Sequence, residues 1–448
     1  MLKLFLWLKY LRRRRIVLLS VAAVALSVSL LIVVASLFNG FIVALERSAV
    51  EMLGDVIMSA PAGAKFDKYP DFIERLEQSG VVESATATLS SDGLVNVGKG
   101  NVLPVRLWGI QPERRTRVMG FKQALLRQGT IVGEPSFDVP GMPGEMGGFV
   151  GIGVVADPDE ETDEYDRETI LKEMIGERIF ATTGTVESAE DGRNVPKRRF
   201  IPFYISDVIF TGVYELDSAF VYLPIDVLQK ELYPDEEGTL ATSINIRLKP
   251  GVDPELAQTE IRGRWSVFAE QELGWSRYLI AMTMIETARE MQSQYVGEIR
   301  KQMGVLLLVF GVISLGVIVL FFCIFYMMVR LKQRDVAILK SCGATSVSVM
   351  WLFLGFGATV GVVGSGIGAV LGYVVTRNIN QIEEWIRILF GLKLWMSSVY
   401  MFDKIPNEVD WASALPIVGL AVVAATLGAL LPAVVAARTR PVEILRYE

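Results

Sequence analysis

The stretch MVRLKQRDVAILKSCGATSVSV, Met328–Val349, determines how the rest of the chain is interpreted. It connects two long apolar segments, residues 303–329 and 347–375, each of which is long enough to cross a bilayer. Four of its residues are basic and only Asp335 is acidic. Because short connections rich in lysine and arginine stay on the cytoplasmic side of a membrane, this stretch is predicted to be a cytoplasmic loop.

A short helix is predicted within this loop at residues 335–340. We expect its apolar side chains to share one side and its polar side chains to face a partner protein. The apolar set is Val336, Ile338 and Leu339, and the polar set is Arg334, Asp335 and Lys340. Gly343 follows where the chain turns back into the bilayer, and glycine favours the left-handed conformation that ends many helices. The alternative interpretation is a basic loop that only fixes the orientation of the spans.

Part of the loop resembles a known motif. RDVAILKSCGA, residues 334–344, resembles the cytoplasmic motif R-(D/E)-I-A-(I/V)-L-(K/R)-x-x-G-A of the FtsX-like permease superfamily. This superfamily includes the MacB-type exporters and the lipoprotein-releasing LolC and LolE subunits, and the resemblance is strongest to the latter. In the family this segment is a coupling helix seated on a separate ATPase. The resemblance therefore implies an ATPase-coupling site formed by Arg334, Asp335, Ile338, Leu339, Lys340, Gly343 and Ala344.

The composition is typical of a membrane protein with a large solvated part. The 448 residues are 51% hydrophobic, the formal net charge is -6, and most acidic residues lie between residues 46 and 300. This balance disfavours a nucleic-acid partner. The sequence has no histidine, and its two cysteines, Cys323 and Cys342, lie in an apolar segment and in the basic loop. Histidine-based catalysis and Cys/His zinc sites are therefore excluded, and the solvated part has no disulfide.

Four apolar segments predict a membrane protein with four transmembrane α-helices and a large mixed α/β extracytoplasmic domain between the first and the second. In chain order the predicted parts are a cytoplasmic amphipathic basic segment (1–15), the first transmembrane helix with an outward stalk (16–55), the extracytoplasmic domain (56–280), a stalk with the second transmembrane helix (281–329), the cytoplasmic coupling helix (330–346), the third transmembrane helix (347–376), an outer loop with an interfacial helix (377–411), the fourth transmembrane helix (412–437) and a cytoplasmic tail (438–448). Basic residues flank the inner ends of the spans, which predicts that both termini are cytoplasmic.

The region between the first two spans mixes strand and helix patterns. Alternating or β-branched runs at residues 102–110 and 242–248 predict strands, and segments that begin with proline predict helices. Two passages, VRLWGIQPE (105–113) and TGVYELDSAFVYLPIDVLQ (211–229), resemble the lipoprotein-releasing permeases. They imply the extracytoplasmic domain of that family.

Residues 133–197 depart from the family pattern and are predicted to be an acidic, Gly/Pro-rich insertion. Within it, residues 157–168 carry eight carboxylates in twelve positions. A calcium site is one interpretation, but the glycine hinge and the regular carboxylate spacing of an EF-hand loop are missing. The run is therefore interpreted as a solvated or mobile loop, and no metal site and no catalytic site is predicted.

The outer ends of the first two spans carry the predicted substrate cavity. Residues 281–301 predict a long helix that continues into the second span, without a proline to interrupt it. SLFNGFIVALE (36–46) resembles the outer end of the first span of LolC and LolE. The cavity-lining residues are predicted to be Asn39, Phe41, Val305, Val309 and Val312. For the polar residues of the first span, Ser27, Ser29, Ser36 and Asn39, two interpretations remain: helix packing with hydrogen bonds between spans, which the spacing favours, and a polar seam along a cavity.

The second half of the chain adds packing signals and a further resemblance. Glycines recur at four-residue spacing in residues 357–372, which predicts close packing of the third span. Residues 378–395 form an amphipathic pattern that predicts a helix at the outer membrane interface. The terminus LPAVVAARTRPVEILRYE (431–448) resembles the terminus of the same permease family.

The energy source is predicted to be another polypeptide. The four spans contain no ionisable acidic or basic side chain, which disfavours an ion-coupled carrier. The chain also lacks the motif G-x-x-x-x-G-K-(S/T) that cradles ATP phosphates. We therefore expect a non-catalytic membrane subunit that binds no cofactor, with ATP and Mg²⁺ held by a partner ATPase.

Two classes of function remain. The resemblance implies the permease subunit of an ATP-driven ABC transporter in the inner membrane, which extracts lipoproteins or a similar amphiphile from the outer leaflet and passes them to an extracytoplasmic acceptor. The implied partners are an ABC ATPase dimer, a second permease subunit (a copy or a paralogue), the amphiphile, and an extracytoplasmic chaperone or adaptor. The alternatives are an FtsX-like signalling scaffold that activates a cell-wall hydrolase, and a MacB- or DevC-like exporter permease.

Overall fold

The computed structural model describes residues 15–98, 102–159, 164–188, 194–391, 395 and 404–438. Most of the predicted N-terminal basic segment, most of the predicted C-terminal tail and part of the acidic run therefore lie outside the described residues. The chain divides into two compact units. The helical unit comprises residues 1–44, 295–392 and 405–448, and the sheet unit comprises residues 45–294 and 393–404.

Helices and strands alternate through the sheet unit, and long helices form the rest. In chain order the elements are α1 (Arg15–Leu53), β1 (Val56–Ser59), α2 (Tyr69–Glu77), β2 (Val82–Asn96), β3 (Val102–Ile110), α3 (Pro112–Val118), α4 (Phe121–Ala124), a 3-10 turn (Gln128–Thr130), β4 (Gly147–Gly151), α5 (Ile152–Val155), α6 (Arg167–Met174), β5 (Arg178–Ser188), β6 (Asn194–Ile209), α7 (Tyr214–Ala219), β7 (Phe220–Pro224), α8 (Ile225–Leu232), β8 (Ser243–Leu248), α9 (Pro254–Gln271), α10 (Arg277–Met282), β9 (Met284–Thr287), α11 (Ala288–Leu331), α12 (Gln333–Ser341), α13 (Ser346–Arg377), α14 (Ile379–Phe390) and α15 (Trp411–Arg438).

The sheet unit is built on one sheet of the described strands, in the order β3-β7-β4-β6-β5-β2-β8-β1-β9, with a further pairing of β3 and β2. The long strand β2 joins the two parts of this sheet. Its second half pairs with β3 and β5, and its first half pairs with β8. Because β2 pairs with β3, six strands close into a ring, while β8, β1 and β9 continue the sheet from the other half of β2.

An aromatic cluster anchors helix α9 in the core of the sheet unit. The Trp265 ring lies 4.9 Å from that of Phe66, 5.2 Å from that of Phe72 and 5.3 Å from that of Trp275. Its indole N–H donates to Thr283 Oγ1 at 3.0 Å, so the one polar atom of this buried side chain is paired. Aromatic pairs at such distances add about 0.5–1.5 kcal/mol each beyond their area of burial.

Four helices of the described residues, α1, α11, α13 and α15, are long and apolar enough to cross a membrane. All described strands of the sheet unit lie between the first and second of them in sequence, so the predicted fold class is confirmed. The α13 glycines explain how the helical unit packs. A Cβ added to Gly368 would lie 2.6 Å from the Ala25 carbonyl oxygen of α1, and one added to Gly357 would lie 2.4 Å from the Ala429 Cβ of α15. Only glycine permits this backbone approach, as the four-residue spacing predicted.

The predicted start of the second stalk is wrong. Helix α11 begins at Ala288, whereas residues 284–287 form strand β9, which pairs antiparallel with β1. The sheet unit therefore continues past the predicted domain end at residue 280. The cause is tertiary: Thr283 is held by Trp265, and β1 supplies backbone partners to the next four residues.

The residues predicted to be an acidic, Gly/Pro-rich insertion, 133–197, take part in the sheet. Strand β4 lies within this range, between β7 and β6, and is buried throughout. Its glycines look like loop residues in the sequence, yet they are required here because a Cβ on Gly148 would lie 2.6 Å from the Phe203 ring. In the acidic run, Asp166 caps α6 by accepting from the Thr169 N–H at 3.2 Å.

Candidate functional site: the coupling helix and the ends of the spans

Helix α12 is a separate short helix between two spans, as the sequence predicts. The chain leaves α11 at Lys332, whose backbone is not helical and whose N–H donates to the carbonyl groups of Met328 and Val329 at 3.1 Å each. The Lys332 ammonium group pairs with Asp335 in the first turn of α12. A carboxylate in the first turn stabilises a helix because it faces the positive end of the helix dipole.

The apolar side predicted for this helix is wrong. Val336 and Ala337 are buried, and Val336 packs in a cluster with Phe325 of α11 and Val349 of α13. Ile338 and Leu339 are instead 49% and 40% exposed. At 100° per residue, Val336 and Ile338 lie on nearly opposite sides of a helix, so they do not share a face. The described unit therefore leaves an apolar pair, Ile338 and Leu339, on the surface of α12.

The sequence predicted that the Lys340 side chain faces a partner protein, but this side chain contacts its own helical unit. Its ammonium group donates to the carbonyl oxygen of Ala437 at 2.5 Å, near the last residue of α15. The final carbonyl groups of a helix have no partner within it, and a lysine there also complements the negative end of the dipole. Lys340 thus ties α12 to the end of the fourth span.

The turn after α12 is a Schellman motif. Gly343 adopts φ +95°, as predicted, and its N–H donates to the Lys340 carbonyl at 3.0 Å. The Ala344 N–H donates to the Leu339 carbonyl at 3.1 Å. The next residue, Thr345, then caps α13 because its side-chain oxygen accepts from the Ser348 N–H. Two successive caps set the point where the chain re-enters a span.

Asn39, one of the predicted cavity residues, lies at a contact between two spans. Its side-chain amide donates to Asp410 Oδ2 at 2.8 Å, which connects α1 to the residue before α15. Asp410 also caps α15, because its carboxylate accepts from the N–H groups of Ala412 and Ser413. A Cβ on Gly40 would lie 3.0 Å from the Pro406 Cβ. The Asn39-Gly40 pair is therefore a contact between the first and fourth spans, which is the alternative that packing predicted.

The helical unit contains an apolar cavity near the middle of the first span. It has a volume of about 370 Å³ and is lined by α1, α11 and α15, through residues such as Ser27, Gly311 and Ala424. None of the five predicted cavity residues lines it: Asn39, Phe41, Val305, Val309 and Val312. The three valines are exposed on α11. Their role in an assembled complex stays a prediction.

A buried cation in the sheet unit escaped the sequence analysis. Arg115 is 2% exposed, and its guanidinium carbon lies 4.8 Å from the ring of Trp108, 5.5 Å from that of Phe121 and 5.9 Å from that of Tyr222. Nη1 donates to Thr88 Oγ1 at 3.0 Å, and Nε has no hydrogen-bond partner in the described part of the chain. Burial lowers the pKa of the Arg115 guanidinium to about 10, so it stays charged at neutral pH. Nothing in the local sequence distinguishes it from the neighbouring arginines.

The two motifs of the outer domain meet around this cation. Strands β3 and β7 pair in parallel with Trp108 opposite Tyr222, so VRLWGIQPE and TGVYELDSAF lie side by side. Asp217 of the second motif is buried and accepts from the Thr211 N–H at 2.7 Å and the Gly212 N–H at 2.9 Å. These motif residues build the core and its turns. Among the described residues, no group of three or more Asp, Glu, Cys or His is placed to hold a metal ion.

Comparison with known proteins identifies the family. Residues 17–264 match the family of MacB-like periplasmic core domains, and residues 307–441 match the C-terminal domain of FtsX-like permeases. The first match alone covers more than half of the 448 residues. The chain belongs to this permease family. The resemblance found in residues 334–344 is thereby confirmed, while the roles of individual residues in this permease stay predictions.

Three curated relatives of the permease match it over nearly their whole length. The lipoprotein-releasing system transmembrane protein LolC of Neisseria meningitidis serogroup B is 25% identical over 98% of both chains. LolC of Xylella fastidiosa is 24% identical, again over 98% of both chains. LolE of Haemophilus influenzae is 22% identical over 95% of this chain and 93% of its own. The similarity therefore extends through both the helical unit and the sheet unit.

Proposed function

We propose that this permease is the transmembrane subunit of an ATP-driven ABC transporter that extracts lipoproteins, or a similar amphiphile, from the outer leaflet of the inner membrane and hands them to an extracytoplasmic acceptor. The observation that carries the proposal is the full-length similarity to relatives named as lipoprotein-releasing system transmembrane proteins. The two family matches support it, since they cover both the outer domain and the membrane part.

Energy enters from a separate ATPase dimer. This proposal is supported by the missing phosphate-binding motif and by spans without ionisable side chains. Lifting a lipid anchor exposes methylene groups at about 0.8 kcal/mol each, so the work per cargo molecule is large enough to need ATP. The ATP and Mg²⁺ are bound by the ATPase and not by this chain.

The ATPase docks on α12, at the exposed pair Ile338 and Leu339. An exposed apolar pair on a short helix fits a partner pocket, while Val336 and Lys340 hold the helix on its own unit. The basic residues of the loop support a cytoplasmic location for this side and for both termini, with the sheet unit in the periplasm. The ATPase dimer closes on residues 330–348 of two permease subunits, which are this chain and a copy or paralogue. This closure supplies the mechanical work that lifts the amphiphile.

A substitution at Ile338 tests the docking face. We expect Ile338→Asp to reduce recovery of the ATPase with the tagged permease by about tenfold or more, because a carboxylate buried at the interface costs well over 1.4 kcal/mol. The complex is purified in mild detergent, and its partner chains and lipid-modified peptides are identified by mass spectrometry. ATP-driven release of bound lipoprotein should fall in parallel.

The matched control is Val267→Asp on helix α9. Val267 is also β-branched, lies on a helix and is 50% exposed, but belongs to the sheet unit. The Val267→Asp variant should still bind the ATPase and should still release lipoprotein. If Ile338→Asp keeps both, α12 is not the docking element. If the unmodified complex retains a cell-wall hydrolase and no amphiphile, the signalling-scaffold function replaces the one proposed.

A further inference from the structure

The cavity of the helical unit lies near the middle of the first span. Ser27 on its wall is twelve residues from Arg15 and twelve from Asn39, which places it roughly 18 Å from each end of the span at 1.5 Å per residue. The hydrocarbon core of a bilayer is about 30 Å thick. At this depth the surrounding medium is the tails of membrane lipids and not water.

The lining of the cavity is apolar and its few polar atoms are already paired. Of the lining residues, which all lie in the described part of the chain, only Ser27 and Ser314 have polar side chains, and their hydroxyl groups share a hydrogen bond of 2.8 Å. The other walls are aliphatic residues such as Leu31 and Leu420, together with Phe321. A cavity without free polar partners does not hold ordered water and takes an apolar molecule instead.

The volume fits one hydrocarbon chain. The cavity measures about 370 Å³. That is roughly two and a half times the size of a 150 Å³ apolar cavity that binds benzene, so it accommodates roughly fifteen carbon atoms. A lipid anchor with two or three chains exceeds this volume. Filling the cavity restores the dispersion contacts that its walls would otherwise lack.

We propose that one acyl chain of a membrane phospholipid occupies this cavity between α1, α11 and α15 as a resident part of the helical unit. The phospholipid places its second chain and its headgroup outside the cavity, among the surrounding lipids. The proposed occupant is a lipid of the membrane itself and not the transported amphiphile, so the inference goes beyond the proposed function and needs neither cargo nor ATP. The apolar chain replaces protein side chains that the second span lacks at Gly311.

Photo-crosslinking in proteoliposomes tests the site. The full chain with its partner subunits is reconstituted with a phospholipid that carries a diazirine at the middle of one acyl chain, and adducts are mapped by mass spectrometry. We expect adducts concentrated on the lining segments 24–31, 307–321 and 417–425. The Gly311→Phe variant should lower the yield on these segments about tenfold, which corresponds to roughly 1.4 kcal/mol of overpacking.

The matched control is Gly316→Phe on the same helix. A Cβ added to Gly311 or to Gly316 meets no atom within 4 Å, but only Gly311 lines the cavity. Gly316→Phe should keep the full yield of adducts. Ala424→Phe fills the cavity from α15 and should reproduce the loss, so the proposal stays testable if Gly311→Phe fails to fold.

Three results would overturn the proposal. Adducts that spread evenly over the spans and ignore Gly311→Phe would show that the cavity holds no lipid chain. An absence of adducts on the lining segments would show that another protein segment fills the space. Loss of adducts on addition of a triacylated lipopeptide would assign the cavity to the cargo; that result would leave the proposed transport function standing.

Discussion

At the scale of single residues, Gly343 decides how the cytoplasmic loop is shaped. Its φ of +95° lies in the left-handed region, where a side chain collides with the backbone. The hydrogen bonds from Gly343 and Ala344 back into α12 both depend on this conformation. The orientation of α12 relative to α13 therefore depends on one residue without a Cβ.

We predict that Gly343→Ala lowers the stability of the loop by about 1–2 kcal/mol, the cost of the left-handed conformation for a residue with a side chain. The midpoint of thermal unfolding in detergent should fall, and ATP-driven release by the complex should fall with it. Gly304→Ala is the control, because an added Cβ at this helical glycine of α11 meets nothing within 4 Å. Equal behaviour of the two variants would contradict a role for the turn.

Residues whose role is local could be predicted from the sequence, and residues whose role depends on distant neighbours could not. Gly343 follows a helix and precedes a span, so its conformation was predictable. The buried face of α12 was not, because Val336 is covered by side chains of two other helices. The partner of Asn39 was not predictable for the same reason, since Asp410 is 371 positions away.

At the scale of elements, helix α13 organises the helical unit because glycines occur on both of its contact faces. Gly364, Gly368 and Gly372 face α1, and Gly357 and Gly361 face α15. Where lipid surrounds a protein, apolar burial contributes little and close backbone contact replaces it. The packing of the first, third and fourth spans therefore depends on these small residues.

We predict that Gly368→Ala destabilises the helical unit by about 1–3 kcal/mol, because its methyl group must displace α1 or the Val28 side chain, whose Cβ would be 2.8 Å away. The midpoint of thermal unfolding in detergent measures this. Gly366→Ala, two residues along the same helix, adds the same methyl group where nothing lies within 4 Å. A shift of equal size in both variants would contradict the packing role.

Elements with an unambiguous pattern were predictable, and those completed by tertiary pairing were not. The four spans agree with the sequence to within a few residues, except that α11 starts later than predicted. Residues 284–287 become a strand only because β1 offers an open edge. The position of strand β4 between β7 and β6 likewise depends on tertiary pairing, and its burial there requires small residues.

At the scale of the whole molecule, the distribution of charge and the two exposed cysteines make the proposed orientation testable. Basic residues flank α12, and most acidic residues lie in the sequence of the sheet unit. This distribution predicts α12 in the cytoplasm and the sheet unit outside it. Cys342, at the end of α12, is exposed and can report on the predicted cytoplasmic side. Arg277 of the sheet unit, whose side chain is 93% exposed, offers a position for an introduced cysteine on the predicted extracytoplasmic side.

We predict that a membrane-impermeant maleimide labels Cys342 in inside-out vesicles stripped of peripheral proteins, and does not label it in intact spheroplasts. The label requires a hydrated thiolate, so Cys342 is examined in a Cys323→Ser background that removes the thiol within the span. An Arg277→Cys variant that lacks both native cysteines should show the opposite pattern. If Cys342 is labelled from the outside, the charge argument fails and α12 cannot receive the stroke of a cytoplasmic ATPase.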